Sequence, residues 1–144
     1  MNKKKLVILS GAGISKESGI DTFRDKDGIW TKQDAMQLAS IEGWNNDPQA
    51  VLDFYNARRR QLLEVQPNKA HELLAQLEKW YDVSIITQNV DDLHERAGSS
   101  HIVHLHGELS KACSSIDKEN ADCIELRPLI NDIHLGDKAK DGSQ

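Results

Sequence analysis

Three short apolar runs constrain the fold most: residues 6–9 (LVIL), 83–87 (VSIIT) and 102–105 (IVHL). Runs this short do not make helices. They also lack the strict alternation of a half-solvated strand, and read as strands buried on both faces of a parallel sheet. Each leads directly into polar residues or glycine: Gly11-Ala12-Gly13, Gln88-Asn89 and His106-Gly107. Helical periodicity fills the spaces between. Asp47 as N-cap and Pro48 at the first helical position open a helix with Val51, Phe54 or Tyr55, Leu62 and Val65 at helical spacing. Pro67 stops it. Asn68 caps a second helix carrying Ala70, Leu73, Leu74 and Leu77, and a third over residues 91–97 closes on Gly98 in the left-handed conformation. The order strand, helices, strand, helix, strand predicts an α/β fold. It is the first half of a Rossmann-like parallel sheet, about three strands, with a small helical module inserted over residues 31–70. Residues 1–144 read as a single domain whose last part, 110–144, is polar and aperiodic.

Composition narrows the function. The chain has 144 residues, 38% apolar and 28% charged, as an ordinary folded domain does. A net charge of −5 argues against nucleic acid as a partner. No apolar stretch approaches the roughly 18 residues of a membrane span, so no membrane partner is expected. The basic start and short apolar run resemble a secretory leader only until Lys16 and Glu17. Two cysteines make no disulfide framework, and a cytoplasmic location is expected.

The first glycine loop does not fit the common phosphate-binding spacings. Lys16 stands where a dinucleotide fingerprint needs its third glycine, and no Gly-Lys-Ser/Thr follows Gly13. Glycine still permits positive φ and close approach of a ligand, and a following helix can aim its N–H groups at phosphate. The polar cluster after the second run, "TQNVDD", needs either a structural network or a ligand to satisfy it. Asp91 or Asp92 can also cap the helix that follows.

Three stretches together, "GAGISKESGIDTFRDKDGIW", "TQNVDDLHERAG" and "HLHGEL", resemble the sirtuin family of NAD-dependent protein lysine deacylases. The resemblance spans residues 6–109. It is nearest to the bacterial type that also removes acidic acyl groups. It implies NAD as cosubstrate, held by Gly11, Ala12, Gly13 and Ser15, and by a mobile loop over residues 21–30. In that loop Phe23 would shield the reacting sugar and Arg24 would position phosphate and ribose. Gln88 would contact ribose, Asn89 would hold a water or ribose hydroxyl at the reacting carbon, and Asp91 beside Val90 would accept from the nicotinamide amide. His106 would be the general base, a role suited to imidazole, and His104 is expected to be structural. Tyr55 and Arg58, i and i+3 on one helix, resemble the acyl-pocket pair for succinyl and malonyl lysine; arginine can hold a carboxylate through two parallel bonds. Arg59 and Arg60 read as a solvated basic face.

The implied function is NAD-dependent removal of acetyl, succinyl or malonyl groups from lysine, giving nicotinamide and O-acyl-ADP-ribose, with acyl-lysine proteins or peptides as partners. Two alternatives stand beside it: an inactive NAD- or acyl-peptide-binding module, and a protein ADP-ribosyltransferase. The sequence departs from the family in two places. Many members carry a zinc ribbon after the histidine motif, but residues 110–144 offer only Cys113 and Cys123, with His134 as a remote third. The tetrahedral site wants four ligands, so the region reads as a degenerate ribbon, no zinc is expected, and the cysteines read as buried or inert. Second, a full doubly wound sheet has a further half. Without it the first strand becomes an unprotected edge, the domain reads as C-terminally incomplete, and weak NAD binding is expected.

Overall fold

The computed structural model describes residues 3–20, 36–114, 123–126, 132–139 and 142–143. Two compact units make up the chain: Met1–Asp25 with Leu62–Glu108, and Lys26–Gln61 with Leu109–Gln144.

The first unit holds the predicted sheet. Strands β1 (Lys4–Ser10), β2 (Tyr81–Thr87) and β3 (Ile102–His104) lie in the order β1-β2-β3, all parallel. Lys4 pairs with Tyr81 through to Ser10 with Thr87, and Ile85 with Ile102 through to Thr87 with His104. Each strand begins or ends within two residues of its apolar run, because the local pattern marks it. Alternation along a strand sends neighbouring residues to opposite faces. Val83, Ile85 and Thr87 are buried on one face. On the other, Val7 is 65% and Leu9 68% exposed, with Val103 and Leu105 also exposed. This corrects the expectation of burial on both faces: among the described residues one face alone is covered, and β1 is an edge.

The helix that follows β1 is a 3-10 helix, Ala12–Ser18. Helix α3 (Lys69–Leu77), numbered after two helices described below, is capped by Asn68, whose side chain accepts from the Ala70 N–H. The same side chain donates to the Ile14 carbonyl and to Ser18, tying the 3-10 helix down. The deeply buried residue of α3 is His71; Leu73 is half exposed, which corrects the apolar stripe expected there. Helix α4 is short, Leu93–Arg96, and Gly98 beyond it has φ +100, the left-handed turn expected of it. Arg96 donates to the carbonyls of Leu62 and Val65 and to Gln66. Among the described residues of this unit, Ile20, Leu62, Val65, Val83, Ile85 and Leu93 are the buried apolar ones.

In the second unit, α1 (Ile41–Asn46) starts at Ser40, whose hydroxyl accepts from the Gly43 N–H. Helix α2 (Pro48–Glu64) starts as expected, with the Asp47 carboxylate accepting from the Ala50 N–H. It buries Val51, Leu52 and Phe54, and its last turn belongs to the first unit. The Asn56 side-chain amide makes two hydrogen bonds with Ile133, accepting from its N–H and donating to its carbonyl. Strands β4 (Lys111–Ala112) and β5 (Ile124–Glu125) form a small antiparallel ladder. A disulfide joins Cys113 to Cys123 beside it. Both cysteines are exposed. Their exposure corrects the expectation that they are buried; the ladder brings together two side chains that the sequence separates.

Candidate functional site

The candidate site lies at the C-terminal ends of β1, β2 and β3, all within the first unit. Parallel sheets bind ligands at this end. The turn after β3 puts His106 in solvent, and Gly107 follows at φ +80, a conformation that disfavours any side chain. The positive φ expected as a possibility at the first glycine loop is not used: neither Gly11 nor Gly13 has it. A methyl group at Gly13 would meet nothing within 4 Å, and one at Gly11 only Gln88 Oε1 at 4.0 Å. Packing within the protein thus does not require glycine at 13. The open space suits a ligand laid against the backbone, and to that extent the loop fits a dinucleotide.

Beside this space a network centres on Asn89, which is 7% exposed. Its N–H donates to Thr87 Oγ1 at 3.0 Å. Its Nδ2 donates to Ser15 Oγ at 3.1 Å. Its carbonyl faces His104 Nδ1 at 2.8 Å. Among the described residues no hydrogen bond reaches its Oδ1, which remains able to accept from a ligand hydroxyl or a water. Ser15, expected to offer its hydroxyl to the cofactor, is buried and donates instead to Asp91 Oδ2 at 2.8 Å. Asp91 Oδ1 accepts from the Leu93 N–H at 3.2 Å, so the capping role left open for Asp91 or Asp92 falls to Asp91. Each carboxylate oxygen keeps a second lone pair for a ligand amide. Gln88 is exposed and Val90 half-buried at the same rim, and Ala12 begins the 3-10 helix. Phe23 and Arg24 lie outside the described residues.

Behind the network is a layer that sequence reasoning missed. Ser10 Oγ donates to Thr87 Oγ1 at 2.9 Å and meets His94 Nε2 at 3.0 Å. The His94 ring stands edge-to-face with His71, centroids 4.9 Å apart, both buried. Burial holds both imidazoles below their ordinary pKa, with repulsion from His71 adding to the effect on His94. His104, read as structural, has its two ring nitrogens against oxygens: Asn89 O, and Glu95 Oε1 at 2.7 Å. The Glu95 hydrogen bond lifts it above the ordinary imidazole value, against burial. Burial pushes the Glu95 carboxyl up, but the His104 hydrogen bond and charge outweigh this and hold it low. The only signal in the sequence was a histidine and a glutamate nine residues apart, with nothing local to pair them.

Tyr55 and Arg58 belong to α2 in the second unit and are both half-buried. Burial raises the Tyr55 hydroxyl above its ordinary pKa, with the nearby Arg58 charge opposing, so it stays a neutral donor. The Arg58 guanidinium lies 5.7 Å from the Phe54 ring centroid. Arg60 is exposed and ion-paired to Asp132, but Arg59 is not solvated as expected: it is 5% exposed and donates to Asn56 Oδ1. Burial lowers its pKa. Within "RRR" only the helical turn decides which side chain points inward.

Comparison with known proteins points the same way. The sequence model described as the Sir2 family matches residues 11–136. An NAD-dependent protein deacylase of Bacteroides thetaiotaomicron is 62% identical over 98% of this chain and 61% of its own length. One from Helicobacter pylori is 64% identical over 98% of this chain and 59% of its own length. The chain thus spans about three fifths of the curated relatives it matches. A crystal structure of a Sir2 homolog–NAD complex superposes with a TM-score of 0.81 at 42% identity, covering 98% of this chain and 54% of that one.

Proposed function

The chain belongs to the Sir2 family, and from that premise we propose that it carries the cosubstrate site and acyl pocket of an NAD-dependent protein lysine deacylase. The observation that carries this reading is Asn89, held at its N–H, carbonyl and amide nitrogen with Oδ1 left over, beside the open space at Gly13. Bound NAD would supply the ADP-ribosyl group that accepts the acyl group as nicotinamide leaves. Asn89 Oδ1 would orient a ribose hydroxyl or water at the reacting carbon. His106, exposed on its glycine turn, would take the proton of a ribose hydroxyl. Gly11, Ala12 and Gly13 would line the dinucleotide, with Phe23 and Arg24 completing its enclosure. Gln88 would contact ribose, and Asp91 with Val90 the nicotinamide amide. Ser15 would act through Asn89 and Asp91 rather than on the ligand.

Tyr55 and Arg58 would read an acidic acyl group, the tyrosine donating one bond and the guanidinium two. The partners are then proteins bearing acetyl-, succinyl- or malonyl-lysine. No described helix is long and apolar enough to cross a membrane, and use of NAD favours a cytoplasmic setting. No metal is given a role.

A second reading is a binding module without turnover. The two are separated by incubating the protein with NAD and a succinyl-lysine peptide and following nicotinamide and O-succinyl-ADP-ribose by mass spectrometry. Deacylation that disappears in His106→Ala supports the enzyme. ADP-ribose binding without product supports the module, and neither binding nor product overturns both.

A further inference from the structure

Asn89 is held from outside its own loop at its amide by Ser15 and at its carbonyl by His104, and behind it Glu95 holds His104 in turn. Asn89, Glu95 and His104 come from different places in the first unit: the turn after β2, helix α4 and the end of β3. Each imidazole nitrogen can donate only when it carries a proton, and a neutral ring carries one. Here Nδ1 faces the Asn89 carbonyl at 2.8 Å and Nε2 faces the Glu95 carboxylate at 2.7 Å. Neither oxygen can donate. Both contacts are satisfied together only by the doubly protonated ring. The His104 side chain is 7% exposed and that of Glu95 26%, so solvent competes weakly for these bonds.

We propose that Glu95 and His104 are positioning residues: an imidazolium clamp that fixes the Asn89 carbonyl and so aims Asn89 Oδ1 at the cosubstrate ribose. The proposal rests on the NAD reading of the site. The two histidines of "HLHG" then divide the work. His106 must be free to take a proton, whereas His104 must keep two. A carboxylate bond to one nitrogen strengthens donation from the other, as in the orienting layer behind many ligand sites.

The groups facing His104 decide the sign of its pH dependence. Glu95 on α4 and Glu108 beyond β3 each present a carboxylate oxygen within 4.8 Å of one of its nitrogens, and both favour the charged ring. His94, on α4 beside Glu95, opposes it when charged, but burial keeps His94 neutral near pH 7. The net direction for His104 is upward, so the clamp is closed below its folded pKa, which lies above the ordinary 6.5. It opens as pH rises through that value, when one of the two bonds must be given up.

The test uses the 144-residue chain, ADP-ribose as probe, and Glu95→Gln, which keeps an oxygen acceptor for Nε2 and removes the charge. Imidazole nitrogen NMR follows the protonation of His104, while ADP-ribose affinity is measured from pH 6 to 9. In the wild type both ring nitrogens should carry protons at neutral pH, and affinity should fall about five- to tenfold across the pKa read from the ring. In Glu95→Gln both curves should move together to lower pH, with near wild-type affinity recovered at the acid end. That recovery is what a merely structural role would not give. An affinity with the same pH dependence in both proteins, or a loss in the variant that acid does not restore, overturns the clamp alone. Absence of ADP-ribose binding by the wild type at every pH overturns the NAD reading, and the clamp's purpose with it. Should Glu95→Gln not fold, the wild type decides: an affinity that does not track the measured His104 titration overturns the proposal.

Discussion

At the scale of single residues, Ser15 is where a small change should cost most. Its hydroxyl bridges Asn89 and Asp91 in a site with almost no access to solvent. Ser15→Ala leaves both partners short of a bond, and an unmade buried bond costs ~1–3 kcal/mol. Chemical denaturation should show a loss of that size, with ADP-ribose binding weakened in parallel; a neutral substitution would mean that water replaces the hydroxyl. Arg58 tests the acyl pocket separately. Arg58→Met keeps the stem over Phe54 and removes the charge. Since a bond to a charged group is worth about 1.5–3 kcal/mol, desuccinylation by the active enzyme should fall about tenfold or more relative to deacetylation. Equal losses on both substrates would assign Arg58 to packing. The sequence alone placed Asn89, Asp91 and His106 in polar loops after strands, because those motifs are contiguous. It could not separate buried Arg59 from exposed Arg60, or pair His104 with Glu95, because those outcomes depend on partners distant along the chain or on the angle of one helical turn.

At the scale of elements, α3 and α4 meet through His71 and His94, two buried imidazoles held neutral. Their folded pKa values are depressed, so the contact is undisturbed above the unfolded value near 6.5. As pH falls below it the unfolded chain takes up protons that the buried rings resist, and stability is lost through their folded pKa values. His104 has the opposite sign: its contribution is complete below 6.5 and fades as pH rises through its raised pKa. Thermal melting should therefore be best near neutrality. His94→Gln, which retains a side-chain amide that can reach Ser10, should flatten the acid side. An unchanged acid limb would place the sensitivity elsewhere. The helix starts at Asp47 and Asn68 and the stop at Gly98 were legible because capping is local. The exposure of Leu73 and the burial of His71 were not, since the apolar stripe counts residues and not what covers them. Pairing of the cysteines was hidden for the same reason. Thiol titration of the denatured chain should find no free thiol before reduction and two after, as Cys113 and Cys123 are joined.

At the scale of the molecule, the sheet carries an apolar face with Val7, Leu9, Val103 and Leu105 in solvent, and among the described residues β1 is an unpaired edge. Such an edge invites pairing with another chain. The 144-residue chain should self-associate in a concentration-dependent way on light scattering. Leu9→Lys should reduce association without lowering the melting temperature, because the side chain it replaces is already 68% exposed. A wild type that stays monodisperse at every concentration would show that neither the edge nor the uncovered face matters.

The pairing of β1 has a temporal side as well. Ser10 and Thr87 touch across 77 residues of sequence. During synthesis β1 leaves the ribosome long before β2, its neighbour in the sheet among the described residues, exists. At ~5–20 residues per second, a 77-residue interval is a wait of roughly 4–15 s. Throughout that interval LVIL is an apolar segment without a partner, while α1 and α2 can already form from local contacts. The first strand made is thus among the last to be placed. Nascent chains arrested before Tyr81 should expose β1 to protease and to chaperone capture, and chains extended far enough for β2 to emerge should protect it.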